Sequence, residues 1–182
     1  QGVSSAASDV YKRQILVILG FVLHLFFINY FHVGMLWVFD RATGANESVN
    51  TVLLRTDTAN SDTRGLKRPS SDIMYSICTY DVKYKPLIIT SSIPDSYWSI
   101  SFYSNNTDNF VTLNDHDIEN NYLKIYLAGV NSEPKKVSNG TVVVSPTDTG
   151  YALVRMFVGN GENLQNLKDI QETLNCIEYN DS

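Results

Sequence analysis

Charge is scarce in this sequence. Only 18% of the 182 residues are charged, and 14 Lys and Arg face 19 Asp and Glu, for a net charge of −5. So few cations cannot assemble the basic surface that neutralises phosphates, which argues against a nucleic-acid role. Histidine is scarcer still: of three copies, His24 and His32 fall inside one long apolar run, leaving His116 alone in the rest of the chain. The two cysteines, Cys78 and Cys176, lie far apart with no His beside either, so zinc-ligand spacing is missing and no metal is expected. There is no Gly-x-Ser-x-Gly elbow for a nucleophile. Gly159-Asn160-Gly161 lacks the strand–turn–helix spacing of a dinucleotide fingerprint and reads as a turn. Asp115, Asp117 and Glu119 alternate, but without the central Gly and terminal Glu of a calcium loop. No period of roughly 20 to 50 residues recurs, which removes solenoids and propellers. No cofactor is expected, and no catalytic residue can be named.

What the chain does have begins with an apolar run. From Ile15 to Phe39 there is no Asp, Glu, Lys or Arg. At about 1.5 Å per residue such a helix spans the roughly 30 Å hydrocarbon core with some tilt. Tyr30, Trp37 and the following Asp40-Arg41 suit the far interface, so residues 15–39 are predicted to be an uncleaved transmembrane anchor. A cleaved signal peptide is the rival, with Ala42-Thr43-Gly44-Ala45 as a weak cleavage site. His24 and His32 could ligate a cofactor only if a second helix supplied another wall.

Residues 1–14 are set aside. Ser4 to Gln14 matches, residue for residue, the translation of a common transposase-type sequencing adapter. Lys12 and Arg13 therefore carry no topological information, and the charge rule cannot orient the anchor.

Residues 40–72 are polar and turn-rich, and read as a linker that docks once through Val52-Leu53-Leu54, with Arg64, Lys67 and Arg68 as a solvated basic end. From Ile73 the pattern becomes period two, with Ile73, Tyr75, Ile77 and Thr79 on one face. Further strands are predicted at Leu87 to Thr90, Tyr97 to Tyr103, Phe110 to Leu113, Tyr122 to Leu127, Thr141 to Val144 and Tyr151 to Val158. Trp98, Ile100 and Phe102 share a face. Leu164, Leu167, Ile170 and Leu174 fall at helical spacing and predict a short amphipathic helix. Seven or so short strands between turns, followed by one helix, make residues 73–178 a mainly β domain, an antiparallel sandwich or barrel.

Cys78, Tyr80-Asp81, Pro86, Pro94-Asp95-Ser96-Tyr97-Trp98-Ser99 and Asn109-Phe110 form a scheme that resembles the bacterial domain of unknown function 1254 family in its short membrane-anchored form. Val144-Ser145-Pro146-Thr147-Asp148-Thr149 and the later Arg155 extend the resemblance, which runs from about Asp72 to Cys176. The resemblance implies a β-rich fold and a single-pass protein of the bacterial inner membrane, with its soluble domain in the periplasm. It also implies a companion, a second small anchored protein similar to domain of unknown function 1214. It implies no activity.

In an oxidising periplasm Cys78 and Cys176 are disulfide candidates, two buried free thiols being the alternative. Arg155 sits in an otherwise apolar strand, where an unpaired charge is expensive. Asp81, or else Asp95, is its expected ion-pair partner, with an anion site as the second reading. Asp95, Tyr97, Trp98 and His116 could line a ligand pocket, although Trp98 as core and His116 as a solvated loop residue explain the same pattern. Two functions follow: a binding or assembly module that works with the companion, or a hydrolase or small-ligand binder with a pocket near Tyr97 and His116.

Overall fold

The computed structural model describes residues 2–43, 49–54, 70–118, 121–130, 132, 140–159 and 164–179. Most of the expected linker, including Arg64, Lys67 and Arg68, lies outside the described residues.

An unbroken helix, α1 (Gly2–Thr43), carries the apolar run. Its window Asp9–Phe31 has a mean hydropathy of 2.0, none of it is buried against the rest of the chain, and it is long and apolar enough to cross a membrane. Asn29 Nδ2 donates to Leu25 O at 2.7 Å, one turn back, so this polar group is satisfied within the helix. The residues set aside as adapter continue the same helix.

Among the described residues the strands are β1 (Thr51–Leu54), β2 (Ile73–Asp81), β3 (Leu87–Ser92), β4 (Trp98–Ser104), β5 (Asn109–Asn114), β6 (Tyr122–Gly129), β7 (Thr141–Ser145), β8 (Thr149–Phe157) and β9 (Asn175–Glu178); α2 (Leu164–Glu172) precedes β9. They form two sheets, of order β1-β2-β8-β4-β5 and β7-β6-β3-β9. The core lies between them. Met74, Cys78, Tyr80, Ile100, Phe102 and Val154 project from the first sheet against Leu87, Ile89, Leu123, Ile125 and Leu127 of the second. Leu167 and Leu174, at the helical spacing read from sequence, bring α2 onto the same core. The turn into α2 uses Gly159 at φ 61°, a conformation that costs glycine little.

Three features depart from expectation. The patch Val52-Leu53-Leu54 is an edge strand: β1 pairs antiparallel with β2, Val52 opposite Cys78. A ninth strand, β9, lies beside β3 with Cys176 opposite Ile89. And β7 pairs parallel with β6, Leu127 opposite Val143, so the second sheet is mixed.

Strand β2 is buried on both faces. Its even-numbered residues face the core, while Tyr75 and Ile77 join Leu153 in a smaller cluster on the outer face, flanked by Ile73, Tyr103 and Tyr151. From the inner face come the ties between sheets. A disulfide joins Cys78 to Cys176, with 6.5 Å between Cα atoms and a sequence separation of 98. Tyr80 Oη donates to Tyr103 O at 2.9 Å and lies 3.1 Å from Ser145 Oγ of β7. Gly150 is required there, because a Cβ would collide with the Tyr80 hydroxyl and Tyr103 O. At one end of β2, Gln171 Nε2 of α2 donates to Ser76 Oγ at 2.8 Å and Tyr75 O at 3.2 Å. At the other, Asn50 accepts from Asp81 N at 2.8 Å and donates to Glu178 at 3.3 Å.

Two outcomes follow. Replacing both cysteines by serine is expected to cost up to about 4 to 5 kcal/mol on the loop-entropy estimate. Thermal melts with and without reductant measure it: the wild-type midpoint falls on reduction, and that of the double variant does not move. Burial pushes the Tyr80 phenol up from 10.0 to about 12. The unfolded chain then loses its proton first as pH rises, so stability is complete below pH 10 and declines by roughly 2 to 3 kcal/mol on approaching pH 12. Tyr80→Phe removes that part of the alkaline decline and, by losing the hydrogen bonds, lowers stability at neutral pH by about 1 to 2 kcal/mol; urea titrations across this range test both.

Candidate functional site

Alternation along β4 sends Trp98, Ile100 and Phe102 into the core and Ser99, Ser101 and Tyr103 to the outer face. The same alternation in β8 puts Tyr151, Leu153 and Arg155 on that face. Arg155 stands opposite Ser99 on one side and Tyr75 on the other, and Tyr151 stands opposite Tyr103. On the far side of β4, Thr112 is opposite Ser101 and Asn114 opposite Ser99. The face is thus apolar where β2 meets β8 and hydroxyl-rich where β4 meets β5.

The Arg155 side chain runs along β4 rather than across it. Its Nη1 donates to Ser101 Oγ at 2.9 Å and its Nη2 to Tyr103 Oη at 3.1 Å. Thr112 Oγ1 donates to Ser101 Oγ at 3.1 Å. The Tyr103 ring stacks on Tyr151, centroids 4.7 Å apart and planes 10° from parallel. Burial raises the Tyr151 phenol above its ordinary pKa, the neighbouring Tyr103 adds to this, and the Arg155 charge opposes it. Ser99 is 1% exposed, and its Oγ has no hydrogen-bond partner.

The expected Asp81–Arg155 ion pair is not formed. Asp81 is opposite Thr149 and Arg155 opposite Tyr75, six residues along the strands or about 20 Å. Asp81 instead accepts from Lys83 N at 2.9 Å and shapes its own turn. Asp95, the other candidate partner, is exposed in the turn before β4. Arg155 tolerates its strand because it is only half-buried and its guanidinium finds the Ser101 and Tyr103 hydroxyls.

Nor do the four expected pocket residues converge. Trp98 is 2% exposed and belongs to the core, whereas its neighbour Tyr97 is 49% exposed. His116 is an exposed loop residue, anchored through its backbone N to Asn114 Oδ1 at 2.8 Å. The register places this loop beside the start of β4, so Tyr97 and His116 share one end of the sheet, but Trp98 points away from both. Among the described residues, no group of three or more His, Cys, Asp or Glu forms a metal site. Sequence reading passed over Ser99, Ser101, Tyr103, Thr112 and Tyr151. Their signal was the serines alternating with Trp98, Ile100 and Phe102.

The family described as "Protein of unknown function (DUF1254)" matches residues 49–178. The chain belongs to that family. The match begins just before β1, so the edge strand is part of the DUF1254 domain and not of a linker. No functionally curated protein matches the chain. Among solved structures it is similar to the VPA0106 protein from Vibrio parahaemolyticus, with a TM-score of 0.60 and 14% identity over 78% of this chain and 33% of that one. It is also similar to an uncharacterised protein from Burkholderia cenocepacia, with a TM-score of 0.50 and 15% identity over 65% of this chain and 34% of that one. These likenesses show the fold alone, and this chain spans about a third of the length of each.

Proposed function

We propose that this chain is a membrane-anchored binding or assembly module of the bacterial envelope, with its DUF1254 domain on the periplasmic side and a second small anchored protein, resembling domain of unknown function 1214, as its companion. The observation that carries this reading is the outer face of the four-stranded sheet. There the register aligns Ile177, Ile88, Tyr126 and Val142 in one cross-strand row, with Ala128 and Val144 in the next. Ile177 is 51% exposed, Val144 45%, and Tyr122 of the same face 52%. Tyr126 and Ala128 in these rows are already buried, the Tyr126 ring edge-on to Tyr179, so the apolar side chains left in water are Ile177, Val144 and Tyr122. Exposed apolar residues grouped on one face are characteristic of a surface that another protein covers. The solved relatives support the reading in a second way, since the matched fold is a third of a longer polypeptide in each. A hydrolase or ligand pocket at Tyr97 and His116 gains less support, because Trp98 faces the core.

Affinity purification of the intact chain from its native membrane tests the proposal. The companion is expected to co-elute in near-stoichiometric amount with the wild type and to be lost from Val144→Asp/Ile177→Asp, whose disulfide still forms on a non-reducing gel. Recovery of the wild type alone, or equal companion with both proteins, contradicts the reading.

A further inference from the structure

We propose that the outer face of the five-stranded sheet holds a site for a monocarboxylate with an apolar or aromatic body, its head held by Arg155 among Ser101, Tyr103 and Thr112 and its body against the half-buried Tyr103–Tyr151 stack. This site lies on the opposite side of the sandwich from the face assigned to assembly, so the two readings stand or fall separately. The chemistry begins with what Arg155 lacks. Both of its hydrogen bonds end on neutral hydroxyls, and among the described residues it forms no ion pair. A guanidinium has five N–H donors in a fixed fork; two are engaged, which leaves three for an oxyanion. The surroundings supply further donors. The Ser101 and Tyr103 hydroxyls lie beside the guanidinium, whereas the buried, unpartnered Ser99 hydroxyl stands opposite the Arg155 backbone, two residues back along β4. Thr112, by contrast, is exposed, so the cluster opens to solvent on the β5 side.

The class of anion follows from charge and surroundings. A single guanidinium without a second cation balances one negative charge, and a chain of net charge −5 disfavours a dianion such as phosphate. Along β8 the next outward residue is Leu153, which packs with Ile77 and Tyr75, and the Tyr103–Tyr151 stack borders the other end. The Leu153 cluster is buried, and the guanidinium reaches toward Tyr103, so a carboxylate head at Arg155 places the body of its ligand beside the half-buried Tyr103–Tyr151 stack rather than in open water.

The probe is phenylacetate, titrated calorimetrically into the intact chain in lipid nanodiscs, with phenylacetamide and inorganic phosphate as comparisons. Saturable one-to-one binding of phenylacetate is expected, at least about ten-fold weaker for phenylacetamide and for Arg155→Gln, as the loss of a charge-assisted contact implies. Thr112→Asp supplies a carboxylate beside Ser101 at an exposed position. It is expected to abolish phenylacetate binding while raising the melting temperature, and it keeps the test valid should Arg155→Gln fail to fold. The proposal is overturned if the wild type shows no saturable binding, if phosphate binds more tightly than phenylacetate, or if Thr112→Asp binds as the wild type does. Displacement of the companion protein by phenylacetate would assign the site to a carboxylate of that partner, and would likewise overturn the small-molecule assignment.

Discussion

The covalent bond between Cys78 and Cys176 ties β2 of one sheet to β9 of the other, and much of the domain is arranged around that tie. Strand β9 has four residues and a single buried side chain, Cys176. Four residues beside one neighbour would form a weak edge. Held to β2, the strand keeps its register on β3 and fixes the end of α2 that precedes it. The Tyr80 hydroxyl performs the equivalent task at β7, the other edge of the same sheet. Thus β2 clamps both borders of the four-stranded sheet, by a disulfide and by a buried hydrogen bond. Covalent closure of so long a loop has a large entropic effect on the unfolded chain, whereas the Tyr80 contact acts in the folded state.

That β2 is buried on both sides explains why a sandwich of this size carries a second, smaller cluster. An antiparallel sheet commonly has one wet face. Here the outer face of the five-stranded sheet is half dry, and the boundary between its apolar and hydroxyl-rich halves falls at β8, where Arg155 stands. The outer face of the four-stranded sheet is different again, with Ile177 and Val144 exposed on its border strands, Tyr126 and Ala128 buried between them, and a polar row of Asn175, Thr90 and Lys124 beside them. One fold therefore presents two unlike surfaces, and the functional readings divide between them.

The strands from Ile73 to Val158 were legible because their alternation is clean and their turns are marked by Pro86, Pro94-Asp95 and Asn105-Asn106. The helix was legible from Leu164, Leu167 and Ile170. Both cysteines could be paired in principle, because few other features of the chain compete for them. What was not legible is pairing. Val52-Leu53-Leu54 and Asn175 to Glu178 are too short for a periodicity to show, and they become strands only because β2 and β3 offer free edges. The parallel placement of β7 beside β6 leaves no local signature in either strand. The Asp81–Arg155 expectation failed for the same reason: charge complementarity is visible in a sequence, but the register that sets the two residues at opposite ends of β2 and β8 is not. The cluster around Arg155 is likewise a product of register, since Ser101, Thr112 and Tyr103 reach it from two strands.

The central claim is that β2, through its disulfide, holds the four-stranded sheet in place. Amide hydrogen exchange of the intact chain, oxidised and reduced, tests it most directly. Reduction should raise exchange in β9, α2 and β3 while β2 and β8, paired over nine residues, stay protected. Unchanged protection of β9 and α2 after reduction would contradict it.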